Sequence, residues 1–140
     1  MKTVPQKYKD FVKDCAQKAA WLIGVSHYEI DIHYMSEKSE DDCCTRTKRG
    51  MMTTDRRYLR GTLRLYPCVL KDWESGNKKE VKDVVFHEIS HLVTQHLYDV
   101  GVATYRDDGE MRDAWETLTE VVSRLALRID DNENNNGKKK

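Results

Sequence analysis

The chain has 140 residues, a length typical of a single domain. Its 24 lysines and arginines balance its 24 aspartates and glutamates. A net charge of zero argues against a strongly basic nucleic-acid or membrane-surface binder and against a broadly acidic solvating protein. Apolar residues make up 39 % of the chain, and no uninterrupted apolar run approaches the ~20 residues needed to span a bilayer. The first ten residues, Met1 to Asp10, carry charges where an export signal needs an apolar stretch. No membrane partner is therefore expected, and cytoplasm is the expected compartment. The four cysteines, Cys15, Cys43, Cys44 and Cys68, form no C-x-x-C pair and are expected to be reduced.

In chain order, Phe11, Val12, Cys15, Ala19, Leu22 and Ile23 recur at helical spacing, predicting a helix over about 5–23 that stops at Gly24. Residues 28–34 alternate strictly, with Tyr28, Ile30, Ile32 and Tyr34 on one face, as in a half-buried strand. A polar, acidic loop is expected over 36–42 and a weaker strand over about 43–52. A clearer strand covers 57–66, with Leu59, Leu63 and Leu65 on one face. Gly61 interrupts that face, which predicts a bulge or a close backbone approach. Pro67 is expected to end the strand, and residues 73–77 read as a loop. A second helix is predicted over about 78–100, apolar nearly all round and so expected to be central and buried. A third is predicted over about 110–129, with a stripe of Met111, Trp115, Leu118, Val122, Leu125 and Ile129. Residues 130–140 contain no apolar side chain and are expected to be a disordered polar tail. The sum is an α+β domain over residues 1–129 with a small, mostly antiparallel sheet.

The second predicted helix contains His87-Glu88-Ile89-Ser90-His91, an H-E-x-x-H pattern. Residues i and i+4 project from one helix face, so two imidazoles at this spacing can bind one Zn²⁺. Glu88 sits beside the first histidine, within reach of a water at the metal's open position, as a general base. Buried imidazoles and a carboxylate without partners would be costly in an apolar helix, which favours a site over chance. A catalytic zinc site needs a third protein ligand. His96 falls about 140° around the helix from His91 and cannot join the site without breaking the helix. It reads as a core histidine. That leaves a carboxylate, and the third helix offers Glu116 and Glu120 one turn apart.

Here the sequence resembles the gluzincins, the zinc peptidases of the thermolysin type. In that family a glutamate on a helix after H-E-x-x-H is the third ligand, and a carboxylate four residues later holds the first zinc histidine by its other nitrogen. The stretch Trp115-Glu116-Thr117-Leu118-Thr119-Glu120 matches that arrangement. The resemblance implies one zinc per chain held by His87, His91 and Glu116, with Glu120 behind His87. Two features depart from the family: the second carboxylate is Glu rather than Asp, and Trp115 replaces the usual Asn. Glu120 remains the alternative ligand. The short order of helix, small sheet, H-E-x-x-H helix and glutamate helix resembles the minigluzincins and the small metallopeptidases encoded by phages and prophages. It covers about residues 5–129 and implies a zincin-like minimal catalytic domain; for a phage protein the compartment is the host cytoplasm.

The implied activity is hydrolysis of peptide bonds in a peptide or protein substrate, with Glu88 as general base. The alternative is an inactive zincin-scaffold binding or regulatory protein of phage or prophage type. In such folds the strand before the H-E-x-x-H helix is the sheet edge lining the cleft, which assigns that role to residues 57–66. Tyr98, Tyr105 and His33 are candidate oxyanion donors by type alone. Arg46, Lys48, Arg49, Arg56, Arg57, Arg60 and Arg64 make the middle of the chain basic, but a solvated strand face explains them better than nucleic acid does.

Overall fold

A computed structural model describes residues 3–36, 49–104 and 108–138, with the backbone alone at 96, 101–104 and 108. The side chain of His96, and Cys43, Cys44 and Tyr105, lie outside the described residues, as does most of the expected 36–42 loop. The fold is α+β. Helix α1 spans Gln6–Ile23, strands β1, β2 and β3 span Glu29–Tyr34, Gly50–Asp55 and Arg60–Leu65, and helices α2, α3 and α4 span Pro67–Glu74, Lys78–Thr104 and Asp108–Gly137. Among the described residues no helix is long and apolar enough to cross a membrane. Cys15 is a buried, free thiol.

Helix α1 ends where the sequence predicts. Gly24 takes the left-handed conformation at φ 84° and sends its N–H back to the Ala20 and Trp21 carbonyls. Tyr8, Val12, Cys15, Ala16, Ala19 and Ala20 form its buried face.

The sheet order is β1-β3-β2. Strand β2 pairs antiparallel with β3, whereas β1 pairs parallel with it. The expected mostly antiparallel sheet is therefore mixed, and β3 is its centre rather than its edge. The reason lies in burial: Gly61, Leu63 and Leu65 are all buried, so β3 takes the position covered on both sides by neighbours. The weaker strand lies at 50–55 rather than 43–52, and it supplies an edge. Gly61 marks a close approach, not a bulge. A Cβ there would meet Leu92 Cδ2 at 3.0 Å and Met52 Sδ at 3.2 Å. That gap lets α3 lie directly on the sheet.

Helix α2 was not expected. Pro67 does end β3, but it also occupies the first turn of a helix, where its missing N–H has no partner to lose. Helix α3 runs on through Gly101 to Thr104, since an isolated glycine lowers helix stability by only about 1 kcal/mol. Its first half fits the expectation: Val81, Val85, Phe86, Ile89 and Leu92 are buried. Its second half does not, because Val93, Leu97 and Val100 are exposed.

Helix α4 departs most from its pattern. The apolar stripe predicts its buried face, yet Leu118, Leu125 and Ile129 are exposed. The buried positions are Thr119, Ser123, Ala126 and Asp130. Small side chains win because they let α4 approach α3 closely, with the Thr94 and Thr119 hydroxyls 2.7 Å apart. The helix also continues to Gly137, across the residues expected to form a disordered tail. Lys82 on α3 anchors that extension, its Nζ lying 2.6 Å from Asp130 and 2.9 Å from Asp131. Burial opposes the charge on Lys82, but the hydrogen bonds to the two aspartates raise its pKa above the ordinary value.

Asp130 is only 5 % exposed, so removing its cation strands a buried charge. Lys82→Met is expected to destabilise the protein by about 3 kcal/mol in urea denaturation. A change within about 0.5 kcal/mol, the range of an ordinary surface substitution, would contradict this role.

Candidate metal centre

Helices α3 and α4 run antiparallel, as the contacts Lys82–Asp130, His87–Glu120 and Thr94–Thr119 show by their opposed numbering. This juxtaposition brings the predicted residues together. His87 and His91, one turn apart on α3, stand nearly perpendicular with ring centroids 4.9 Å apart. Glu116 enters from α4. Its Oε2 lies 3.3 Å from His87 Nε2 and its Oε1 3.8 Å from His91 Nε2.

These distances test whether a metal fits. With bonds of ~2.0–2.1 Å, donors at the corners of a tetrahedral zinc site are about 3.3–3.4 Å apart. The Glu116 carboxylate, at 3.3 and 3.8 Å from the two Nε2 atoms, needs little adjustment to meet that spacing. His87, Glu88 and His91 also offer donor atoms within 4.8 Å of one another. Glu88 Oε2 is 4.0 Å from His91 Nε2, close to the 3.8 Å of Glu116, but its carboxylate is engaged by the Met52 backbone N–H. Glu120 lies behind the first histidine, with Oε2 3.0 Å from His87 Nδ1 and Oε1 2.6 Å from Arg124 Nε. Burial raises its pKa, but the hydrogen bonds from His87 and Arg124 outweigh that and hold it below the ordinary value. With Nδ1 held by Glu120, Nε2 is the ring nitrogen that faces Glu116 and would meet a metal.

His91 is oriented differently. Its Nδ1 lies 3.3 Å from Thr119 Oγ1. Thr119 Oγ1 is also 2.7 Å from Thr94 Oγ1 and 2.8 Å from the Trp115 carbonyl, and Trp115 Nε1–H donates to Thr94 Oγ1 at 3.0 Å. One proton arrangement joins these groups in a chain: Trp115 donates to Thr94, Thr94 to Thr119 and Thr119 to the Trp115 carbonyl, with His91 Nδ1–H donating to Thr119. In that arrangement His91 Nε2 is unprotonated. Burial, and secondarily His87, pushes the His91 imidazole down to about 4, which keeps it neutral near pH 7. The Trp115 ring packs on His91 at 4.5 Å. Trp115 thus packs on the second histidine and joins it through a threonine pair.

Glu88 is 7 % exposed. Burial pushes its carboxyl up to about 7, with His87 and the Met52 N–H lowering it and Glu116 raising it. It lies against β2, where a Cβ at Gly50 would meet Glu88 Cγ at 2.7 Å. Nothing in the sequence marked Gly50, because the requirement arises from a strand and a helix distant in the chain. The cleft, of about 1010 Å³, is lined on this side by Gly50, Met51 and Met52. The cleft-lining edge is therefore β2, not the expected 57–66 strand, which lies in the centre of the sheet.

Of the candidate oxyanion donors, Tyr98 lines the cleft and stacks on Trp115 at 4.4 Å. His33 is exposed on β1, across the sheet from β2, and is not brought to the site. The basic segment is largely committed to local partners: Arg56 to Asp99, Arg60 to Glu29 and Arg64 to Thr53.

Two predictions follow from this geometry. Thr119→Val removes the acceptor for His91 Nδ1–H and is expected to weaken zinc binding about 10–100-fold in chelator competition, while Thr119→Ser retains it. Wild-type affinity in the valine variant would contradict the proton arrangement. The second concerns pH. Glu88 rises from 4.5 in the ordinary state to about 7 in the fold, so its contribution to stability is present below pH 4.5 and lost as pH rises through 7. Metal-free Glu88→Gln lacks that loss. Its stability relative to wild type should grow between about pH 5 and 8, by up to ~3 kcal/mol. A difference that does not vary with pH would contradict the burial of Glu88 as a carboxylate.

No family model, curated protein or solved structure matches this chain.

Proposed function

We propose that the protein is a zinc-dependent metallopeptidase of the gluzincin type, with His87, His91 and Glu116 holding one zinc ion and Glu88 acting as general base. The observation that carries the reading is the convergence of two Nε2 atoms and one carboxylate, at 3.3 and 3.8 Å, beside a buried glutamate whose carboxyl is raised to about 7. Zinc supplies Lewis acidity, which lowers the pKa of water and polarises a carbonyl.

The chain's own residues do the rest. Glu120 and Thr119 hold the imidazoles with Nε2 towards the donor cluster. Glu88, titrating near neutral pH, is suited to accept a proton from the attacking water at Oε and to deliver it to the departing amine nitrogen. Atoms balance: water adds across the amide, giving a carboxylic acid and an amine. The outer edge of β2 offers main-chain groups to an extended peptide as an added strand. A binding or regulatory module on the same scaffold has no use for a buried, raised carboxyl at this position, so the catalytic reading is favoured.

Glu88→Gln tests the proposal. The variant is expected to bind about one equivalent of zinc and to lose hydrolysis by at least ~100-fold, the usual worth of a general base. Full peptidase activity in the variant would contradict the assigned base, and loss of zinc would make Glu88 a ligand instead.

A further inference from the structure

The two ends of the cleft differ in charge. At one end Glu80 and Asp83 line it. Arg49 is shared there between Asp72 and Glu80, so two carboxylates divide one guanidinium. Asp83 has no hydrogen bond or ion pair among the described residues. The cations that act on it are Lys79, Lys82 and Arg124, and the last two are bound to Asp130 and Asp131 and to Glu120. At the other end lie Arg112, Tyr98 and Trp115. Arg112 has no partner among the described residues. Because α3 and α4 are antiparallel, Asp83 and Arg112 lie one turn from the donor cluster in opposite directions. Each is displaced about 6 Å along the helix axis, the length of about two residues of an extended strand.

Direction is fixed by β2. Arg49, just before the strand, bonds Glu80 near the start of α3, and Arg56, just after it, pairs with Asp99 near the end. Strand β2 therefore runs alongside α3 in the same sense. Its other edge pairs antiparallel with β3, and antiparallel pairing is the more stable per residue. A peptide added antiparallel to β2 puts its N-terminal part by Arg112 and its C-terminal part by Asp83.

We infer that the cleft selects extended peptides with an acidic side chain two or three residues before the cleaved bond and a basic side chain two or three residues after it, read by Arg112 and Asp83. This inference rests on the metallopeptidase reading and names the substrate class for it. With a net charge of zero the chain has no overall charge to attract a partner, so two local, opposite charges supply the discrimination.

The test uses full-length protein loaded with zinc and three fluorescent octapeptides. These differ only at the two positions: Glu before and Lys after, Lys before and Glu after, or Gln at both. Binding is read on Glu88→Gln and cleavage on the wild type. The matched peptide is expected to bind about tenfold more tightly than the reversed one at low salt, from two attractions replaced by two repulsions. The difference should shrink at about 0.5 M salt. Combining Arg112→Glu and Asp83→Lys in the Glu88→Gln background should invert the order. Equal binding of all three peptides, or the opposite order in the parent protein, overturns the inference. Cleavage without charge preference overturns the inference alone. Charge-selective binding without cleavage overturns the metallopeptidase reading alone, and neither binding nor cleavage overturns both.

Discussion

The close contact between α3 and α4 is the constraint on which the rest depends. Thr94 and Thr119 meet at 2.7 Å because neither helix places a large side chain at the crossing. That closeness brings Glu116 to within 3.3 Å of His87 Nε2 and puts Glu120 behind the same ring. A leucine at 119 would separate the helices and move both carboxylates from the histidines. The contact also explains why α4 exposes Leu118, Leu125 and Ile129. Turning that apolar stripe inward would rotate the acidic face out of the cleft.

The same packing places polar groups where an apolar core would be more stable. Glu88, His91, Thr94, Thr119 and Ser123 are all buried. Their hydrogen bonds limit the penalty, since a satisfied buried network costs far less than an orphaned group. Ser90 returns its hydroxyl to the Phe86 carbonyl at 2.7 Å, and the threonine pair closes on Trp115 and His91. Near pH 7 His91 is neutral, its imidazole held down to about 4, whereas burial penalises the ionised form of Glu88, whose carboxyl is held up to about 7. In the proposed account a divalent ion beside Glu88 offsets that penalty, coupling metal binding to stability.

Much of this was legible in the sequence, and the misses share a cause. The H-E-x-x-H and Glu116–Glu120 spacings follow from helix periodicity, whereas the contact of Glu120 with His87 joins two helices and was expected only from the resemblance. The alternation of residues 28–34 and the stop at Gly24 are likewise local. What failed required tertiary information. The apolar stripe of α4 read as core, because a sequence pattern does not reveal that Thr119, Ser123 and Ala126 offer a closer fit. Residues 130–137 read as unstructured, because nothing nearby in the chain signals that Lys82 holds Asp130. Strand 57–66 read as an edge, because strand order depends on which neighbours cover Leu63 and Leu65. Gly50 and the Trp115–Thr94–Thr119 chain were invisible for the same reason: their meaning lies wholly in partners distant along the sequence.

The central claim is a three-residue coordination sphere with an open position, and X-ray absorption of the zinc-loaded protein addresses it most directly. The account predicts a shell of two imidazole nitrogens and carboxylate and water oxygens at ~2.0–2.2 Å, with one imidazole remaining in His91→Ala. A shell containing sulfur, or one still holding two imidazoles after that substitution, would contradict it.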